Sequence, residues 1–377
     1  MNLELTDEQV ALRDTVRSFL AEKASIGGHV RPLLDDATGT TEAVWRGLAD
    51  LGTTGLLVPT EYDGAGMTMV EAGIVLEELG AGLHPGPWLS SAVAATRALM
   101  RFGVDGNVAA PLFTGIADGS TIATVGPLEG AHPSVVELGD DVALRGEIDS
   151  VWDVAAADVI LVLADDRDGT GLFAVQTSTP GVDITPQAGI DQTRKQFRVR
   201  FDDAPAQRLA TASPDAVEAL IDDVVIAWAA DALGAARAIM DLVVEYAKVR
   251  RQFGQPIGAF QAVQHLCVDM YETVELARGG VIHALWAADA GNRAERHSAA
   301  IRTRAFSGRL AAVGDTAIQV FGGIGYTWEH DAHLYLKRLL SWSAFLGGPD
   351  RYLVQLGAQF AESVLHCKRG DVDVFSQ

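Results

Sequence analysis

The sequence predicts an α+β fold in three consecutive parts: an α-helical N-terminal domain over 1–115, a central β domain over 116–212 and a helical C-terminal domain over 213–377. Three observations carry this. Apolar residues recur at helical spacing near the start and again along one stretch of the last third. Between them lie short β-branched runs separated by Gly, Asp and Pro clusters. No window of eighteen uncharged apolar residues breaks the order, which argues against a membrane span.

Taken in order, Thr6 with Glu8 and Gln9 caps a first helix whose apolar stripe is Val10, Leu12, Val16, Phe19 and Leu20. A second helix carries Trp45 and Leu48 and stops at Gly52. A third covers 70–79. Residues 121–125, 142–144, 159–163 and 172–175 read as strands of a small antiparallel barrel or sandwich. In the last part, Ile226, Ala230, Leu233, Ala236, Ile239, Met240, Val243 and Val244 mark one long amphipathic helix. It ends at Arg250 and Arg251, cations that suit a helix C-terminus.

The formal charge of −21 argues against a nucleic-acid partner, because a phosphate backbone would be repelled. Cys267 and Cys367 stand singly, as reduced thiols of a cytoplasmic protein would. No secretory signal is readable at the start. In so acidic a chain, an anionic ligand needs a local cationic patch, which singles out the two arginines.

Those arginines lie in Tyr246-Ala247-Lys248-Val249-Arg250-Arg251-Gln252-Phe253-Gly254-Gln255-Pro256-Ile257. Alone, they would be dipole-matched surface cations. With a ring, a glutamine and a Gly-x-Pro turn attached, they suit a pyrophosphate and a base. Downstream, Gln319-Val320-Phe321-Gly322-Gly323-Ile324-Gly325-Tyr326 runs a helix into glycines, whose backbone N–H groups a ligand can approach closely. A lone glycine triplet would be only a helix cap. The two segments together resemble the acyl-CoA dehydrogenase family, whose C-terminal domain carries Y-A-x-x-R-x-Q-F-G-x-P-I and Q-x-x-G-G-x-G-Y. The stretch from Trp45 to Leu79 is similar to that family's N-terminal run, with Asp63 where a glycine is usual.

The resemblance spans the chain and implies a C-terminal four-helix bundle, a tetramer built as a dimer of dimers, and FAD as cofactor. It implies α,β-dehydrogenation of an acyl-CoA thioester, with electrons passed to an electron-accepting flavoprotein. It places Arg250, Gln252, Phe253, Gln261, Gln319, Gly322 and Gly323 on the adenosine and pyrophosphate side of an FAD held mainly by a neighbouring subunit.

The reacting end departs from the pattern. The family's base is a glutamate of a Y-E-G-T loop, where this chain has Leu346, or a glutamate on the long helix, where it has Val224. Neither can accept a proton, so no catalytic residue is assigned. Asp222 and Asp223 adjoin the second position and remain alternatives, although a one-residue shift turns a side chain by about 100°. The loop that covers flavin in the family is here 125–132, without its T-E-P-x-A-G-S-D pattern, and Trp152 stands two places from the family's tryptophan. One half-site is kept and the other eroded. That asymmetry resembles the base-lacking subunit of actinobacterial two-chain (α2β2) enzymes acting on steroid side chains, so a paralogous partner would supply the glutamate. The alternative is a non-catalytic scaffold or acyl-CoA-binding relative. His330 and His333 lack a third metal ligand in the sequence and read as surface or interface residues.

Overall fold

The computed structural model describes residues 4–138, 141–167, 169–211 and 213–370, with side chains described no further than residue 361. Cys367 therefore lies outside the residues whose side chains are described; Cys267 is a free thiol.

The N-terminal domain holds α1 (Asp7–Lys23), α2 (Glu42–Asp50), α3 (Met69–Ala81), α4 (Thr96–Arg101) and α5 (Gly106–Ala117). Thr6 opens α1 with a capping box: its hydroxyl accepts from the Gln9 amide at 3.3 Å, and the Gln9 side chain accepts from the Thr6 amide at 3.0 Å. Gly52 follows α2 at φ +73°. Asp63 adopts φ +63°, a left-handed conformation that aspartate tolerates better than most residues, which explains how it replaces the family's glycine.

The central domain has seven strands: β1 (Ala123–Gly126), β2 (Ser134–Leu138), β3 (Asp141–Trp152), β4 (Val159–Asp166), β5 (Gly169–Gln176), β6 (Val182–Gln187) and β7 (Gln196–Thr211). The pairings β4–β2–β3–β7–β5 close on themselves through β5–β4, forming a barrel, with β1 added to β4 and β6 to β7. The expected purely antiparallel order needs one correction. β1 runs parallel to β4, with Ala123 opposite Val159, and β2 meets β4 in parallel at Ser134–Asp165. Consecutive hairpins cannot produce such pairs. The chain returns from β1 through β2 and β3 before laying down β4. The register of β3 against β7 slips between Ile148 and Val151, so Asp149 and Ser150 bulge out and Trp152 turns inward.

The C-terminal domain contains α6 (Pro214–Val249), a short hairpin of β8 (Arg251–Gln252) and β9 (Gln255–Pro256), then α7 (Gln261–Ala290), α8 (Arg293–Ser307), α9 (Leu310–Phe321), α10 (Ala332–Ala344) and α11 (Gly348–Gly370). Its described residues thus form six α-helices. α6 packs on α3, α7, α8, α9 and α10. Its middle departs from the expected amphipathic pattern, since residues 222–236 are buried without interruption, whereas 241–249 alternate exposed and buried positions. A helix surrounded on all sides loses its polar face. Close approach makes this possible. A Cβ on Gly80 would lie 1.9 Å from the Asp231 carbonyl oxygen, and one on Gly234 would lie 1.8 Å from that of Glu77, so α3 and α6 touch backbone to backbone.

A buried ion network ties the three domains together. The wholly buried Arg338 of α10 holds both carboxylate oxygens of Asp231 on α6 at 2.9 and 3.0 Å, and Asp191 before β7 at 3.0 Å. It also donates to the His84 carbonyl of the N-terminal domain at 3.1 Å.

Candidate functional site

Two separate regions carry the chemistry. The first lies where the C-terminal ends of α6 and α9 meet. Tyr246, one turn before Arg250, packs its ring on Phe321 at 5.0 Å, which brings the two sequence motifs together. Arg250 caps α6 and is exposed, and its guanidinium has no partner among the described residues. Arg251 donates to the Gly254 carbonyl at 2.7 Å and Gln252 to the Arg251 carbonyl at 2.8 Å, shaping the hairpin. Phe253 at its tip has φ +48° and is 93 % exposed, an apolar ring held out in a strained conformation. Gln261 opens α7 and Gln319 lies on α9, both exposed. Gly322, at φ +66°, and Gly323 have no atom within 4 Å of where a Cβ would stand. The unpaired Arg250, the exposed Phe253 ring, which meets only Phe260 edge-on at 6.1 Å, and bare glycine backbone thus lie at this end, an arrangement that fits a dinucleotide's phosphates and base.

The second region is a cavity of about 390 Å³ between the barrel and the helical domain. Leu128, Trp152, Trp228, Phe345 and Leu346 form its apolar wall. Trp228 sits edge-on to Trp152 at 4.3 Å, and Phe345 lies 4.3 Å from Trp228 and 5.0 Å from Trp152. Three carboxylates also line it, and each already faces a guanidinium: Glu129 meets Arg351 at 3.5 Å, Asp149 meets Arg198 at 2.8 Å and Asp191 meets Arg338 at 3.0 Å. Among the described residues, each carboxylate of the wall therefore faces an arginine.

Asp222 and Asp223 of α6 point elsewhere. Asp223 is wholly buried between Arg97 at 2.8 Å and Arg101 at 2.7 Å. Asp222 accepts from Arg296 at 3.2 Å and pairs with His297 Nδ1 at 2.9 Å, and this hydrogen bond to Asp222 raises the His297 pKa above its ordinary value. Neither lines the cavity. Val224 is fully buried among apolar residues of α5 and the barrel. His330 accepts from the Ala332 amide at 3.1 Å and His333 packs edge-on against Trp328 at 4.6 Å, both structural tasks.

Sequence reasoning missed Asp153, which follows Trp152 and is completely buried. Burial pushes its carboxyl up to about 6, against the opposing hydrogen bond from Ser90 and the pull of Arg194, Arg338 and Lys195. Only its place directly after the inward-turned tryptophan could have flagged it.

Comparison with known proteins agrees with this geometry. Residues 6–107 match the acyl-CoA dehydrogenase N-terminal domain and residues 219–360 the C-terminal domain. The acyl-CoA dehydrogenase IpdE2 of Mycobacterium tuberculosis is 32 % identical over 358 residues, covering 95 % of this chain and 98 % of that protein. Acyl-CoA dehydrogenase FadE34 of the same organism is 35 % identical, covering 94 % of this chain but 48 % of FadE34. Among solved structures, a Tcur3481-Tcur3483 steroid ACAD variant superposes with a TM-score of 0.86 at 28 % identity, covering 95 % of this chain and 99 % of that one. The ChsE4-ChsE5 complex from Mycobacterium tuberculosis gives 0.86 at 26 %, covering 96 % and 99 %. No described helix is long and apolar enough to cross a membrane. The chain belongs to the acyl-CoA dehydrogenase family, FAD-dependent oxidoreductases acting on CH–CH groups.

Proposed function

We propose that this chain is one subunit of a heteromeric acyl-CoA dehydrogenase, in which it completes an FAD site and a paralogous partner supplies the catalytic glutamate. The observation that carries this reading is Leu346 in the cavity wall, with every neighbouring carboxylate committed to an arginine. Removing the α-proton of a thioester needs an ionised yet basic group beside it, and a leucine has none.

The distance between the two regions supports a division between chains. Trp228 lines the cavity and Arg250 caps the same helix 22 residues later (250 − 228), about 33 Å away at 1.5 Å per residue. One dinucleotide is too short to use both regions of a single chain. Arg250, Gln252, Phe253, Gln261, Gln319, Gly322 and Gly323 would therefore hold the adenosine and pyrophosphate of an FAD whose ring lies in the partner's cavity. When bound, FAD supplies the hydride acceptor; this chain's part is to orient the dinucleotide and neutralise its phosphates. Electrons then leave to an electron-accepting flavoprotein, and the assembly is a tetramer built as a dimer of dimers. Both solved relatives, the Tcur3481-Tcur3483 variant and ChsE4-ChsE5, are described as pairs of differently named chains. FadE34 leaves room beside its matched part for a second unit of similar length. The substrate would be a bulky acyl-CoA, by likeness to the steroid enzyme.

The test is flavin reduction with an artificial electron acceptor over a panel of acyl-CoAs, using the pure chain and then the chain with a paralogue that carries the glutamate. Turnover is expected only in the mixture and survives Asp222→Asn and Asp223→Asn. Turnover by the pure chain that vanishes in either variant would make a displaced aspartate the base. No turnover and no retained flavin in the mixture would leave the scaffold reading.

A further inference from the structure

Arg304 of α8 is wholly buried, yet among the described residues no carboxylate faces it. A guanidinium so placed ordinarily pairs with an acid, because an uncompensated buried cation is costly. Here Nε and Nη2 donate to main chain instead, while Nη1 has no partner among the described residues. Nε donates to the Phe345 carbonyl at 3.1 Å, and Nη2 donates to the Ser343 carbonyl at 3.0 Å and again to that of Phe345. The plane lies over the Trp342 ring at 4.5 Å. Trp342 returns the link, its indole N–H donating to the Ser307 carbonyl at the end of α8 at 3.1 Å. The C-terminal ends of α8 and α10 are thus stapled reciprocally.

The staple leads into a loop that few sequences hold unaided. Leu346, Gly347 and Gly348 have φ of +49°, +87° and +77°, three left-handed residues in succession. Leucine in that region is strained and persists only where its surroundings fix it. Gly308 makes room for the staple, since a Cβ there would lie 2.9 Å from Arg304 Nη1 and 2.8 Å from the Pro349 Cβ.

We infer that Arg304 is the positioning residue of the cavity: it fixes the Phe345 carbonyl so that Phe345 and Leu346 face inward, and it thereby sets the shape offered to the acyl thioester. The inference rests on the proposed division, in which the reaction runs in the partner's cavity, and takes this chain's base-lacking cavity as one that still holds an acyl thioester; its experiment separates the two claims. Octanoyl-CoA binding and tryptophan emission are measured on the full chain, alone and with its paralogous partner, for the wild type, Arg304→Met, Arg304→Lys and the exposed control Arg302→Met. Trp152, Trp228 and Trp342 report the loop directly.

Arg304→Met is expected to shift emission to the red and to weaken octanoyl-CoA binding roughly tenfold, since a misplacement near 1 Å is enough for such a loss. Arg304→Lys recovers part of both signals and Arg302→Met changes neither. A folded Arg304→Met with wild-type emission and binding overturns the inference. If the methionine variant does not fold, Arg304→Lys decides: unchanged emission and affinity overturn it, intermediate values support it. A wild type that binds no octanoyl-CoA removes the thioester reading, while the emission series still judges Arg304.

Discussion

At the scale of single residues, the two ends of the proposed site make different demands. Arg250 stands exposed and unpaired at the end of α6, so its replacement leaves no internal partner stranded. Arg250→Ala in the assembled protein is expected to weaken FAD retention by about 1.5–3 kcal/mol, the usual size of a charge-assisted hydrogen bond. Equilibrium dialysis of flavin measures it, and undiminished retention would remove Arg250 from the site. Asp153 behaves oppositely. Its folded pKa of about 6 lies above the ordinary 3.8, so the folded state holds the proton more tightly than the unfolded chain. The associated penalty is absent at low pH, grows between about 4 and 6 and is constant above. Two units correspond to about 3 kcal/mol at most. Asp153→Asn keeps an acceptor for Ser90 and is expected to melt several degrees higher than wild type at pH 7.5, with the gap closing by pH 4. A gap that stays constant across that range would show that ionisation is not its cause. Arg250 was legible in the sequence because its neighbours form a motif. Asp153 was not, because nothing local distinguishes a buried aspartate from a turn aspartate.

At the scale of elements, the contact between α3 and α6 depends on glycines whose role no single helix reveals. Gly80 and Gly234 each face a carbonyl of the other helix at a distance no side chain can share. Gly234→Ala must separate the helices or bend one, and is expected to destabilise by about 1–3 kcal/mol, the usual range for overpacking. Urea unfolding followed by far-UV circular dichroism measures this; a variant as stable as wild type would mean that the helices part freely. In the sequence Gly234 reads only as a weak helix former. The helices around it were visible from their periodicity, and β1, β3, β4 and β5 from their β-branched runs. The parallel pair β1–β4 was hidden, since strand direction is decided by which edge stays free after β2 and β3 pair, not by strand composition. The burial of α6 on every face was hidden for a similar reason. Asp222, Asp223 and Asp231 read as ordinary helix acids until the arginines that meet them arrive from α8, α4 and α10.

At the scale of the whole molecule, the order α, β, α was readable in the sequence. The cavity itself was not, because Trp152, Trp228 and Leu346 lie far apart in sequence and meet only when barrel and bundle pack. Incomplete sites predict association. Mixing the chain with a glutamate-bearing paralogue is expected to give one species of two chain types by size-exclusion chromatography with light scattering, and that species alone retains stoichiometric FAD. A homotetramer that keeps a full complement of flavin would contradict the division of the site. The continuous α6 has a mechanical corollary. Because one unbroken helix carries both a cavity wall and a cationic tip, it acts as a gauge in which length and phase are locked together. Deleting a single residue between Trp228 and Arg250 would draw the tip in by about 1.5 Å and swing it by about 100°. A point substitution can be absorbed locally, but a frame-preserving deletion there cannot. It would turn Arg250, and the buried positions of α6 that follow the deletion, out of the places they hold against α7 and α9.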